Sequence, residues 1–273
     1  MRRGGRRIAQ SAAKTGKSRR LAGHAGSAVS SRVRLRSESF EAAATVLEID
    51  GRNVPLAVRR SRRAWRLYLR VDPSAPADLP VELILPRGVG LAEGLRFARD
   101  KSHWVARRLA ALPPLVPFAD GSTFDLHGDA LVIRHVGGSV STHRDGPVLK
   151  VGGAREHLPR RVRDWIKAQA RDTLTRRSRE LAEKIDRQVH GVRLGDPRSR
   201  WGSCSPDGRL AYSWRLIFAP PFVLDYVVAH EVAHLVHLNH GARFWRLVAT
   251  LVGDIDGPRA WLNRHGPRLL RHG

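Results

Sequence analysis

The segment His230-Glu231-Val232-Ala233-His234 constrains this chain more than any other. On an α-helix residues i and i+4 share a face, so the two imidazoles point the same way and can grip one metal ion. Glu231 follows the first imidazole, offset around the helix, where its carboxylate can reach a metal-bound water instead of the metal. The preceding run, Pro220 to Ala229, opens with two prolines and is largely apolar, which predicts the start of a buried helix. Histidines and a glutamate in such a helix are costly to bury without partners, and a metal ion supplies one. The plain alternative for the bare string is a pair of ordinary helix histidines.

Two histidines cannot complete a catalytic zinc site, which takes three protein ligands and leaves a fourth position open. His240 comes six residues after His234, in Leu238-Asn239-His240-Gly241, where Asn239 or Gly241 can end the helix and turn His240 back toward the metal. The same interval occurs in an extended zinc signature of another peptidase group, with Gly at the position held here by His237. If the helix continued, His237 would share the stripe of His230 and His234 but stand roughly 10 Å along the axis from His230. His240 is therefore preferred to His237 as the third ligand.

Upstream, Arg200 to Ile217 reads as two short strands joined at Pro206-Asp207-Gly208, a strong turn signal. Trp201 and Trp214 are read as packed core residues. The alternative reading of this hairpin is an edge that pairs with an extended peptide near the metal. Tyr226 and Arg215 are candidates for stabilising an oxyanion, and neither can be assigned that role from sequence.

Arg200 to Ser205, Trp214 to Ile217, Ala219-Pro220, Asp225 to Val228, His230 to Leu235, Asn239-His240 and Phe244-Trp245 together resemble the signature of the YgjP-like metallopeptidases, relatives of the SprT-like and WLM zinc proteases. The resemblance is specific over residues 160 to 265, looser over 42 to 160, and does not reach the first 40. It implies a zinc peptidase acting on protein or peptide substrates, with Zn2+ on His230, His234 and His240 and Glu231 as general base. The chain departs from the family pattern at Ile255-Asp256-Gly257, where an aromatic-containing Pro-Asp-Tyr type segment is expected, and this bears on the pocket rim.

The 273 residues suffice for one large or two small domains. The expected fold class is α+β. An antiparallel, strand-rich N-terminal domain over 41–155 precedes a zincin-like helical metallopeptidase domain with a small β-hairpin over 156–273. Strands are expected at Ala44 to Ile49 and Val54 to Val58 around Asp50-Gly51, at Leu67 to Val71, at Val81 to Leu85 and within 115–150. Helices are expected over Leu91 to Leu112, Leu158 to Val189 and Gly241 to Leu251, the last burying Phe244 and Trp245 as core. No internal repeat is evident. No apolar stretch is long enough to span a membrane. The only cysteine, Cys204, excludes an intramolecular disulfide, reads as a small packed residue, and fits a reducing cytoplasm.

The formal charge of +24 is the second constraint. Residues 1–40 hold eleven Arg or Lys against Glu38 alone, are rich in Gly, Ser and Ala, and are expected to be a disordered tail, either a dispensable solvated segment or an arm that binds nucleic acid. An Arg-rich, Ser-containing, acid-poor start also fits an organellar transit peptide. A second cluster, Arg59, Arg60, Arg62, Arg63 and Arg66 with Trp65 interleaved, either tracks a phosphate backbone or is an exposed strand face. The competing function is a basic nucleic-acid-binding protein whose zinc is only structural. The two readings combine in a protease that acts on DNA-bound proteins.

Overall fold

The computed structural model describes residues 43–75 and 78–273, so the basic tail over 1–40 lies outside the described residues. The chain opens with β1 (Ala43–Ile49) and β2 (Arg52–Arg60), joined at Asp50-Gly51, where both residues have positive φ, 48° and 72°. That is the geometry of a tight hairpin turn whose twist matches the strands, and Asp-Gly is a favoured pair for it. β3 (Tyr68–Val71) and β4 (Val81–Leu85) follow. The spatial order is β1-β2-β4-β3, with β1–β2 and β3–β4 antiparallel and β2–β4 parallel. The sheet is thus mixed, not antiparallel throughout: β4 inserts between β2 and the returning β3, which makes it parallel to the former. Two helices, α1 (Leu91–Asp100) and α2 (Ser102–Ala110), cover one face. The single helix expected here is interrupted at Lys101, whose ψ of 9° leaves the helical range. Leu47, Leu56, Val58, Leu83, Ala98 and Val105 form this part's own core.

A second sheet repeats that topology without any repeat in the sequence. It consists of β5 (Thr123–Leu126), β6 (Asp129–His135), β7 (His143–Asp145) and β8 (Val148–Val151), in the order β5-β6-β8-β7 with β6–β8 parallel. Its inward residues Leu131, Ile133, Leu149 and Val151 belong to the same core as the helices that follow.

Helix α3 (Leu158–Glu183) starts with Pro in its first turn and presents Leu158, Val162, Ile166, Ala170, Leu174 and Leu181 at spacings of four and seven, one apolar stripe. Then come β9 (Gly191–Gly195), β10 (Gly202–Cys204) and β11 (Arg209–Ser213), in the order β10-β11-β9, followed by a 3-10 turn over Trp214–Phe218. α4 (Pro221–Ala233), α5 (Ala242–Val252) and α6 (Asp256–Leu269) complete the chain.

α4 is buried on nearly every side, from Val223 and Leu224 through Val227, Val228 and Ala229 to Val232 and Ala233. A helix apolar all round belongs at the centre of a protein, and α3, α5, α6 and β10 all pack on it. Arg177 of α3 also reaches Asp225 of α4, Nε to Oδ1 at 2.8 Å. Both partners of that pair are a quarter or more exposed, so it contributes at most about 1 kcal/mol. Each fully buried leucine or isoleucine of the α3 stripe contributes about 1.5–3 kcal/mol, so packing holds the two helices together.

The two cores are tied by the chain's last residues and by one ion network. Val116 N–H donates to the Arg271 carbonyl at 2.9 Å and Gly273 N–H to the Val116 carbonyl at 3.0 Å. The Arg271 guanidinium donates to the carbonyls of Pro113 and Pro73 at 3.0 and 3.1 Å. Arg198, in the loop that leads into β10, pairs with buried Asp72 of the first part at 3.0 Å. No helix among the described residues is long and apolar enough to cross a membrane.

Candidate metal centre

The residues of the His-Glu motif lie at the C-terminal end of α4. The helix ends at Ala233, with His234 as its cap, so the turn comes earlier than Asn239 or Gly241. This early ending matters for the third imidazole. Leu235, Val236 and His237 fold back on the last helical carbonyls, Val232 and Ala233, and the chain is free to reverse before α5. One ligand nitrogen from each of His230, His234 and His240 then falls within 4.8 Å of the others. The Nε2 atoms of His230 and His240 are 3.0 Å apart. Nitrogens on a tetrahedral zinc at about 2.0–2.1 Å stand roughly 3.3 Å from one another, so the set fits one such ion with small adjustments.

His237 does not join the set. Its carbonyl oxygen instead lies 2.9 Å from Nδ1 of His234, which must donate there and so keeps Nε2 free with its lone pair. Burial holds the imidazole of His230 well down, at about 4, helped by the neighbouring charges of His234, His240 and Arg259. Burial also lowers His234. Both rings are therefore neutral at pH 7, the form that binds a cation.

Glu231 is 5% exposed. Burial pushes its carboxyl up to about 7, against the pull of the Arg200 guanidinium. A carboxyl tuned there exchanges protons readily near neutrality. Its position is fixed by Gly202, a residue of the expected hairpin. A Cβ on Gly202 would lie 2.5 Å from Oε1, 2.6 Å from Cγ and 2.8 Å from Cδ of Glu231. Only glycine lets the edge strand β10 come this close to the carboxylate.

Phe244, the first buried residue of α5, is likewise more than core. Its ring centroid lies 4.9, 4.6 and 4.7 Å from those of His230, His234 and His240, so it is a floor shared by all three. Trp245 stands 5.7 Å from His230 and 5.6 Å from His240, and Arg259 of α6 covers its other neighbourhood at 5.3 Å. The contact of α6 with the site was hidden in the sequence by the departure at Ile255-Asp256-Gly257, residues that form the start of that helix.

Of the two oxyanion candidates, Arg215 is committed elsewhere. It is 6% exposed and donates to both oxygens of Asp196, at 2.8 and 3.2 Å, and to the carbonyl of His272. Tyr226 stands edge-on to His230 at 6.1 Å, and burial raises its phenol so that it keeps its proton. Trp214 is fully buried, and Trp201 packs beside Gly266 of α6. The Cys204 thiol is pushed up to about 11 by burial, which leaves it unreactive.

A family model described as YgjP-like, metallopeptidase domain, matches residues 66–265, well over half of the chain. The chain belongs to this YgjP-like family. Membership assigns it to the metallopeptidases, peptide-bond hydrolases that work through a metal ion, and the matched range contains the whole histidine cluster. Among solved structures, 36% of this YgjP-like chain aligns with 97% of the metallopeptidase zymogen of Pyrococcus abyssi abylysin, at 18% identity and a TM-score of 0.32. No curated protein matches the sequence.

Proposed function

We propose that the protein hydrolyses peptide bonds with zinc held by His230, His234 and His240 and with Glu231 as the general base. The observation that carries this reading is the convergence of three imidazoles beside one buried carboxyl group at the end of α4. An all-imidazole set with an exposed side suits zinc in its catalytic form. Bound there, zinc would polarise the scissile carbonyl and lower the pKa of water. The chain's own groups do the rest. His234 is oriented through the His237 carbonyl, and Phe244 keeps the three rings at fixed inclinations. Glu231, held against Gly202, accepts a proton from the attacking water and later delivers it to the leaving amine nitrogen.

Replacing Glu231 by Gln tests this. The variant is expected to retain zinc at wild-type stoichiometry and to lose about a hundredfold or more of casein hydrolysis. A Glu231→Gln protein as active as the wild type would overturn the assignment of the base. The substrate is accordingly a protein or peptide, and the compartment we infer is the cytoplasm, since the single cysteine builds no disulfide.

A further inference from the structure

One end of the first sheet carries a solvent-facing tryptophan in an arginine-rich segment. β2 and β4 run parallel, so their C-terminal ends, Arg60 and Leu85, lie at the same edge as the start of β3 at Tyr68. The loop over 61–67 is pinned there: Ser61 N–H donates to the Leu85 carbonyl at 2.9 Å, and Arg60 Nη1 donates to the Val89 carbonyl at 3.0 Å. This brings Arg60, Arg62, Arg63 and Arg66 beside the loop that bears Arg87. None of Arg62, Arg63, Arg66 and Arg87 forms an ion pair among the described residues, whereas Arg59 on the adjacent strand is neutralised by Glu82.

Trp65 is 76% exposed, although a large ring left in water forgoes the gain that burial would bring. It is also oriented. The guanidinium of Arg66 lies 4.7 Å from its centroid and 4.9 Å from that of Tyr68, a bridge that stiffens the ring and occupies one of its sides. A rigid aromatic face open to solvent, in a segment whose neighbouring arginines have no carboxylate partner among the described residues, is complementary to a flat π-system that carries a phosphate at each step.

We propose that this sheet end binds single-stranded nucleic acid, with a base stacked on Trp65 and the backbone phosphates held by Arg62, Arg63, Arg66 and Arg87. Duplex bases are already stacked and cannot offer a face to Trp65, so the preference is for single strands. An anionic membrane fits less well, because interfacial insertion needs several apolar residues and Ser61-Arg62-Arg63-Ala64-Trp65-Arg66 offers one large one. The surface is independent of the peptidase reading and stands or falls separately from it.

The test uses the full chain and an end-labelled oligothymidylate of about 20 nucleotides, followed by fluorescence anisotropy over a salt series. Trp65→Ala is expected to weaken binding roughly tenfold while leaving casein hydrolysis and the far-ultraviolet circular dichroism unchanged. The triple change Arg62→Ala, Arg63→Ala and Arg66→Ala is expected to lower the slope of log affinity against log salt by about 2, and binding to a duplex of equal length is expected to respond little to Trp65→Ala. Trp65→Ala binding within about twofold of wild type would overturn the proposal, because the basic tail would then account for the affinity. An equal loss on duplex would overturn the stacking role. Loss confined to phosphatidylserine vesicles, with oligonucleotide binding retained, would overturn it in favour of a lipid surface.

Discussion

The carboxylate of Glu231 rests on the bare α-carbon of Gly202, across the space that a side chain would fill. β10, the edge strand of its sheet, is therefore part of the apparatus that aims the carboxylate, although it brings no functional group of its own.

Gly202→Ala is expected to push Glu231 out of line without touching any imidazole. A displacement near 1 Å costs on the order of a hundredfold in rate, so kcat should fall by about that factor while zinc content stays at the wild-type level. Steady-state kinetics with metal analysis on the same preparation checks this. Unchanged kcat in Gly202→Ala would show that the close approach has no catalytic consequence.

Phe244 touches all three imidazole rings and is fully buried. Phe244→Ala should destabilise the fold by about 3–5 kcal/mol and loosen the ligand set. Phe244→Leu keeps most of the volume and should still weaken zinc affinity about tenfold or more, measured by competition with a chelator. Wild-type zinc affinity in Phe244→Leu would reduce the ring to a filler of space.

These contacts mark where the sequence stops being informative. The spacing from His230 to His240 already suggested one shared ion, because helical rise is a local property and made His237 the weaker candidate. Phe244 and Gly202 could be read only as core and as turn-flanking strand, since the partners they meet in the His230–His234 segment lie 10 or more residues away and meet them through packing. The hairpin at Asp50-Gly51 was legible from its turn residues, while the parallel pairing of β2 with β4 was not, because the turn chemistry of a hairpin has no counterpart for non-local strands. The break at Lys101 was hidden for a similar reason: the apolar spacing continues through it.

Arg215 is expected to matter for stability and not for chemistry. Removing it as Arg215→Ala leaves Asp196 and the His272 carbonyl without their donor and should cost about 2–3 kcal/mol, below the value for a wholly buried pair because Asp196 is half exposed. Denaturant unfolding measures the loss, and kcat of the folded fraction should match wild type. A large kcat defect at preserved stability would return Arg215 to the oxyanion.

His272 stacks on Phe218 at 4.0 Å, and burial is the main reason its imidazole titrates at about 4 instead of near 6.5. Between those two pH values the unfolded chain binds a proton that the folded chain refuses, so stability falls as the solution is acidified from about 6.5 toward 4. The loss reaches up to about 3 kcal/mol. His272→Phe keeps the ring stack and the backbone carbonyl that Arg215 uses. It should flatten this part of the stability profile, measured by urea unfolding at pH 7 and pH 5. A profile as steep as wild type would place the acid sensitivity elsewhere.

The central claim is that His230, His234 and His240 hold one zinc ion, and X-ray absorption at the zinc edge tests it most directly. One equivalent of zinc per chain is expected, with three imidazole nitrogens at about 2.0–2.1 Å, no sulfur neighbour, and loss of the signal in His240→Ala. A sulfur ligand, or full zinc retention with unchanged imidazole coordination in His240→Ala, would contradict it.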